Sequence, residues 1–232
     1  MRGRVPGYGR VVLSLPPYAP GLSERFRAEG YLPLPALLGP AALALLRAEV
    51  ARLEKLATRR DLTMAYMDDS PRHMTTLGGH VIARHSGLID RLYRDPSLIA
   101  LVGRVAGLDA VPVREPLERY VVNILHRPGD THGAHTDDYP LALVLFADAP
   151  AGPGDGGLLE YVPRAGSLGA LDTPAARPAR HRPGDAYLLR SDTTAHRVTA
   201  LRRPGIRRSV VNLAYTTPGR QQAVTESAAL LY

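Results

Sequence analysis

The sequence predicts an all-β core with flanking helices, and three observations carry that reading. Short apolar segments between about residues 117 and 217 are separated by Pro/Gly turns every ten residues or so, which suits a sandwich or barrel better than βαβ units. The first half instead shows apolar residues at three- and four-residue steps, the period of amphipathic helices. Apolar residues make up 45% of the 232-residue chain and charged residues 22%, a balance that supports a packed core rather than disorder.

The elements follow in chain order. The basic opening, Met1 to Pro20, is broken by Pro and Gly before any apolar run forms, so no secretory signal is expected. Residues 22–57 read as helical. Within them Gly39-Pro40 opens a stretch where Leu43, Leu46, Val50 and Leu53 recur on one face. Thr63–Gly79 is polar, Met-rich and lacks a clean period; it reads as a loop able to fold over a ligand. Asp95-Pro96-Ser97 supplies a capping residue and a first-turn Pro for a helix that buries Leu98, Leu101, Val102 and Val105 and stops at Gly107. Strands are expected at Tyr120–Leu125, Leu141–Phe146, Gly157–Val162, Ala186–Arg190, Ala195–Leu201 and Arg208–Tyr215. The pentapeptide His-Arg-Pro-Gly-Asp at 126–130 and again at 181–185 reads as one turn chemistry used twice. The chain is thus expected to form one domain over 1–232: a mainly helical front with the lid loop (1–116), a β core (117–217) and a tail (218–232) whose Tyr232 reads as frayed, with an aromatic lid over the site as the alternative.

Composition removes several function classes. There is no cysteine, which excludes disulfides, thiolate metal sites and cysteine nucleophiles, so any metal must rest on His, Asp or Glu. The formal net charge of +7 raises nucleic acid as a partner. Lys55 is the only lysine, however, the arginines are dispersed among acids, and no Trp is present for base stacking. Nucleic acid and membrane are therefore not expected as partners. A small-molecule ligand is, in a cytoplasmic setting, with room left for a homodimer.

The chemistry begins at His135-Thr136-Asp137. Residues i and i+2 of an extended segment point the same way, so both side chains can reach one ion. Chance alone can produce such a triplet, and its context gives it weight. His196 opens a later strand, and two His with one carboxylate form the facial triad of non-haem Fe(II) oxygenases. Such a triad leaves adjacent positions open for a chelating 2-oxo acid and for O₂. An arginine follows His196 about eleven positions on, in Arg207-Arg208-Ser209. This conjunction of HxD, distal His and Arg resembles the Fe(II)/2-oxoglutarate-dependent dioxygenases over about residues 22–217. The resemblance implies a double-stranded β-helix (a cupin-like jelly roll), with Fe(II) on His135, Asp137 and His196. Spacing and the RxS pattern favour Arg207 for the co-substrate carboxylate. Strand alternation favours Arg208, which shares a face with Asn212. Asn123, mid-strand, is a candidate hydrogen-bond donor to the same co-substrate.

Charged residues around the triad suggest a zwitterionic substrate. Arg72 could fork a carboxylate, and Glu118 or Asp138 could hold an ammonium, with His132 nearby. Ser70-Pro71-Arg72-His73-Met74, Glu118-Arg119-Tyr120, His132-Gly133-Ala134-His135 and Asn212-Leu213-Ala214-Tyr215 resemble the family of carrier-free lysine halogenases and their hydroxylase relatives. That resemblance implies a free basic amino acid held by Arg72, Glu118, His132, Asp138 and Asn212. Radical halogenases of this kind carry Gly or Ala where chloride meets the iron; this chain has Asp137 there, which implies hydroxylation. The family's Thr two positions after the Asn is Ala214 here. The alternatives are desaturation or other oxidation of another small polar metabolite by the same chemistry, and a non-catalytic cupin-like metal-binding module.

Overall fold

The computed structural model describes residues 13–221 and 224–232. The basic segment 1–12, on which the signal-peptide reading rests, lies outside the described residues. In order, the elements are α1 (Pro20–Glu29), β1 (Tyr31–Leu34), α2 (Pro40–Glu54), β2 (Thr58–Met64), β3 (Ser70–Leu77), α3 (Gly79–His85), α4 (Gly87–Tyr93), α5 (Pro96–Ala106), β4 (Val111–Pro112), β5 (Tyr120–Leu125), β6 (Thr131–His135), β7 (Leu141–Asp148), β8 (Leu159–Val162), β9 (Arg177–Ala179), β10 (Ala186–Leu189), β11 (Ala195–Val198), β12 (Arg208–Thr216) and α6 (Glu226–Leu231).

The strands form one curled antiparallel sheet in the order β1-β10-β7-β12-β5-β3-β6-β11-β8-β9, with β2 added on β3 and β4 on β12. This is the double-stranded β-helix, or jelly roll. Its two faces divide the apolar side chains. Leu141, Leu143, Leu145, Val211 and Leu213 point outward and pack beneath Leu46, Val50 and Leu53 of α2 and Leu98, Leu101 and Val102 of α5. The alternate residues Val144, Phe146, Tyr187 and Val210 point into the roll, where Tyr31 and Tyr161 join them. Each Leu or Val buried on the outer face contributes about 1.5–3 kcal/mol, and the helices thereby hold the sheet's curvature.

Local signals explain many boundaries. Asp95 Oδ1 accepts from the backbone N–H of Ser97 and Leu98 at 2.8 and 3.2 Å, Pro96 occupies the first turn, and Gly107 ends α5 at φ 66°. The two His-Arg-Pro-Gly-Asp copies do share a turn chemistry. Asp130 Oδ2 accepts from His126 and Arg127 N–H, Asp185 Oδ2 accepts from Arg182 N–H, and Gly129 and Gly184 take φ 85° and 92°.

Three expectations need correction. Residues 22–57 are not all helical, because β1 interrupts them and pairs with β10. Thr63–Gly79 is not a lid loop: β2 and β3 form a hairpin, and β3 bridges β5 to β6 inside the sheet. The alternation was hidden because β3 turns Arg72 and Thr76, as well as Met74, to its buried side, so polar residues occupy positions where an apolar period is sought. The front is accordingly less helical than expected. Finally, the C-terminus is not frayed: α6 is capped by Thr225 and docks on the sheet, with Leu231 buried beside Met64 and Met74. No helix among the described residues is long and apolar enough to cross a membrane.

Candidate active site

Strand pairing assembles the metal ligands. His196 on β11 lies directly opposite His135 on β6, and the two rings are 4.1 Å apart between centroids. Asp137 lies just beyond β6, where its N–H donates to Ser191 O at 2.9 Å. Its Oδ1 is 3.5 Å from His135 Nε2 and 3.8 Å from His196 Nε2. The three ligand atoms all lie within 4.8 Å of one another. Each imidazole is oriented by a carbonyl: His135 Nδ1 on Gly133 O at 2.7 Å and His196 Nδ1 on Thr194 O at 2.9 Å. Those bonds protonate Nδ1 and leave both Nε2 lone pairs directed at the cluster, as a metal ligand requires. Burial keeps His135 in its neutral form, with its pKa well below the ordinary value, and it raises that of Asp137. A divalent ion would offset the penalty on the Asp137 carboxylate and would take the neutral imidazole that burial already favours. Two imidazoles and one carboxylate without cysteine suit non-haem Fe(II) and leave coordination positions for other ligands.

A bulge shapes the strand that carries His135. Between the pairs His196–His135 and Val198–His132, β6 spends one residue more than β11. The extra residue turns His132 to the same side as His135, and the rings stack at 4.1 Å and 22°. Gly133, inside the bulge, lies so close to β3 that an added Cβ would sit 2.4 Å from Ser70 Oγ and 2.7 Å from Pro71 O.

Arg72, Glu118, Asn123, His132, Asp138 and Asn212 line one pocket together with His135 and Asp137. Arg72 is 1% exposed. Its Nη1 donates to Ser70 Oγ and Pro71 O, and its Nε has no partner. Among the described residues no carboxylate forms an ion pair with it, and burial lowers its pKa to about 10. Glu118 Oε2 and Asn212 Oδ1 are buried without partners. Burial, with Asp138, Asp137 and Glu115 adding, pushes the Glu118 carboxyl up to about 8. Asp138 anchors the tail, its Oδ2 accepting from Thr225 Oγ1 at 2.8 Å and Ser227 Oγ at 3.0 Å. Asn123 Oδ1 accepts from Thr76 Oγ1 at 2.6 Å.

The two arginine candidates separate onto opposite faces of β12. Arg207 points outward to Glu54 at 2.8 Å and Asp148 at 3.3 Å, and Ser209 Oγ is likewise bonded to Asp148. Arg208 points inward, 3% exposed, with its guanidinium 5.0 Å over the Phe146 ring and a hydrogen bond to Tyr187. Its Nε has no partner. The RxS spacing therefore does not describe the interior face; strand alternation does.

Tyr232, read as frayed in preference to an aromatic lid, and Tyr139, not singled out in the sequence, both belong to the pocket. Tyr232 lines the pocket, where its phenol takes a hydrogen bond from Asn123 and burial raises its pKa. Tyr139, 2% exposed, lines it as well and leaves its hydroxyl without a partner. Its place directly after Asp137-Asp138 was the one available signal. Beneath Arg208, Phe146 stacks on His181 at 4.4 Å and 16°, and Tyr31 Oη is 3.0 Å from His181 Nε2. These rings come from three separate segments, β7, the loop before β10 and β1, and leave no local pattern.

Solved structures share this fold. The epimerase SnoN, crystallised with Fe3+, alpha ketoglutarate and nogalamycin RO, is 19% identical, with TM-score 0.68 over 90% of this chain and 88% of its own. Iron-bound HygX from Streptomyces hygroscopicus is 15% identical, with TM-score 0.66 over 92% and 94%. A Pseudomonas putida prolyl-4-hydroxylase is 14% identical, with TM-score 0.59 over 86% and 98%. At these identities the likeness establishes the fold of the Fe(II)/2-oxoglutarate-dependent oxygenases. No curated protein matches the sequence. The family model of Halogenase D matches residues 18–229, nearly the whole chain and every candidate ligand in it. The chain belongs to the Halogenase D (HalD) family.

Proposed function

We propose that this protein holds Fe(II) on His135, Asp137 and His196, binds 2-oxoglutarate through Arg208, and hydroxylates a free, basic, lysine-like amino acid. One observation carries the substrate class. Inside a single pocket beside the ligand cluster, the unpartnered polar atoms divide by sign: Arg72 Nε is a cationic donor, and Glu118 Oε2 and Asn212 Oδ1 are acceptors. A buried polar atom left unpaired costs about 1–3 kcal/mol, so this arrangement fits a ligand with a carboxylate and a cationic arm.

Iron with bound 2-oxoglutarate and O₂ supplies the oxidation of an unactivated C–H bond, with succinate and CO2 released. The chain's own residues do the rest. Arg208 forks the distal carboxylate of the co-substrate from a dry, aromatic-lined site where the pairing is least screened. Asn123 gives its oxygen to Thr76 and one amide N–H to Tyr232, which leaves its second N–H for the co-substrate. Arg72 receives the amino-acid carboxylate beside His132, and Glu118 and Asn212 receive the ammonium, with the tail-bonded Asp138 carboxylate beside them. The C–H bond nearest the metal is then chosen by position alone. Tyr232 and α6 cover the pocket and exclude water.

The family match favours a second reading, halogenation. Against it, the Asp137 carboxylate stands in the ligand cluster, so no protein-vacated position is left for chloride. Purified enzyme with Fe(II), 2-oxoglutarate, O₂ and chloride, incubated with a panel of free amino acids, separates the readings by product mass. Lysine, ornithine or arginine heavier by one oxygen atom, with stoichiometric succinate, is the expected outcome. Hydrogen exchanged for chlorine would establish the second reading, and succinate release that no amino acid stimulates would overturn the substrate class.

A further inference from the structure

Tyr139 has a feature that its packing does not account for. Its ring sits against Val113 and Ala214, six residues along β12 from Arg208, on the part of the strand that carries Asn212. The residue is 2% exposed and its hydroxyl finds no partner, although it lines the same pocket as Glu118 and Asn212. The charges around it are carboxylates: Glu115, Glu118 and Asp138. Glu115 is committed elsewhere, since its two oxygens accept from the backbone N–H of Leu117 and Glu118. Asp138 is engaged by the tail hydroxyls. The pocket wall therefore presents three oxygens with unused acceptor capacity: Glu118 Oε2, Asn212 Oδ1 and Tyr139 Oη.

We propose that Tyr139 is a specificity-determining residue whose hydroxyl oxygen completes a three-oxygen cradle, with Glu118 and Asn212, for a primary ammonium on the substrate's side chain. The inference rests on the amino-acid reading above and sharpens it. An ammonium has three N–H donors on a compact head, one for each oxygen. A guanidinium would satisfy the carboxylate with a planar fork and match the other two oxygens poorly. The small side chain of Ala214 leaves the Tyr139 ring in contact with β12, so the hydroxyl belongs to the wall rather than to a mobile loop tip. The cradle predicts the order primary amine, then guanidinium, then apolar isostere.

Tyr139→Phe tests this, because it removes one oxygen and leaves the ring packing intact. An unpartnered hydroxyl contributes no native bond, so the melting temperature of the variant is expected to equal or exceed that of the wild type. The KM for free L-lysine should rise about ten- to a hundredfold, the worth of one hydrogen bond to a charged group, with kcat changed far less. The preference for lysine over norleucine, which lacks the ammonium, should shrink by the same factor. An unchanged lysine KM and preference, in an enzyme that turns lysine over, would overturn the role of Tyr139 and leave the substrate class standing. If wild-type enzyme acts on amino acids but prefers norleucine or arginine to lysine, the cradle is likewise refuted. If no amino acid is turned over, n-butylammonium is the probe. Protection of the wild type against thermal unfolding, lost in Tyr139→Phe, would keep the cradle while the substrate reading falls; no protection would remove both.

Discussion

Replacing Arg208 and Arg207 one at a time by Met gives opposite outcomes. Arg208 carries a charge that is nearly fully buried, rests on the Phe146 face and has no carboxylate partner among the described residues; burial holds its pKa below the ordinary value. A buried ion without a counter-charge is costly, so Arg208→Met is expected to leave the co-substrate-free protein as stable as the wild type or more so. Its effect falls on binding. Truncating one partner of a buried charge pair costs about 2–5 kcal/mol, which weakens 2-oxoglutarate affinity from about thirtyfold to several thousandfold. Arg207 is half-buried and paired with Glu54 and Asp148 on the outer face. Its loss removes about 0–1 kcal/mol of stability and leaves co-substrate affinity untouched. Thermal unfolding of each variant with and without 2-oxoglutarate, with Mn(II) in place of iron to prevent turnover, reads both quantities at once. A co-substrate-induced shift that survives in Arg208→Met and vanishes in Arg207→Met would refute the reasoning.

Two further predictions follow from the packing. Gly133→Ala places a methyl group 2.4 Å from Ser70 Oγ, 2.6 Å from Pro71 Cδ and 2.7 Å from Pro71 O; overpacking of this kind costs about 1–3 kcal/mol, and displacement of Gly133 O frees His135 Nδ1. Urea unfolding and Mn(II) titration should both weaken, and a variant equal to the wild type in both would contradict the close approach of β3 and β6. His181 is buried against Phe146 and Tyr31, and burial lowers its pKa from 6.5 to about 3. The unfolded chain therefore takes up this proton first, so the contribution of His181 is intact above pH 6.5 and is lost as pH falls from 6.5 towards 3, at about 1.4 kcal/mol per unit. His181→Gln should flatten the acid limb of the stability–pH curve measured by urea unfolding, and parallel limbs would show that His181 is not buried neutral.

The strands of the core were legible because their outer faces are apolar. Tyr120–Leu125 and the start of Leu141 and Arg208 coincide with β5, β7 and β12, whose alternate residues pack under the helices. β3 and β6 were missed for the converse reason. Their inward residues are Arg72, Thr76, His132 and His135, so polar side chains occupy the positions that carry the period. The ligands themselves were legible because residue chemistry and spacing limit what can bind iron in a chain without cysteine. Their orientation was not, since it comes from the carbonyls of Gly133 and Thr194.

The sequence by itself determined the class of the core, the caps and stops of α5, the shared Pro-Gly-Asp turn, and which His and Asp residues are the candidate ligands. Each depends on contacts within a few residues or on chemistry intrinsic to a side chain. Tertiary structure alone decided which arginine faces inward, that Thr63–Gly79 joins the sheet, that Tyr232 returns to the pocket, and that Tyr139 lends it an unpaired hydroxyl. Those outcomes depend on strand register and on segments distant in sequence meeting in one interior. A one-residue change of face, as between Arg207 and Arg208, separates a surface ion pair from a buried guanidinium without a carboxylate partner among the described residues.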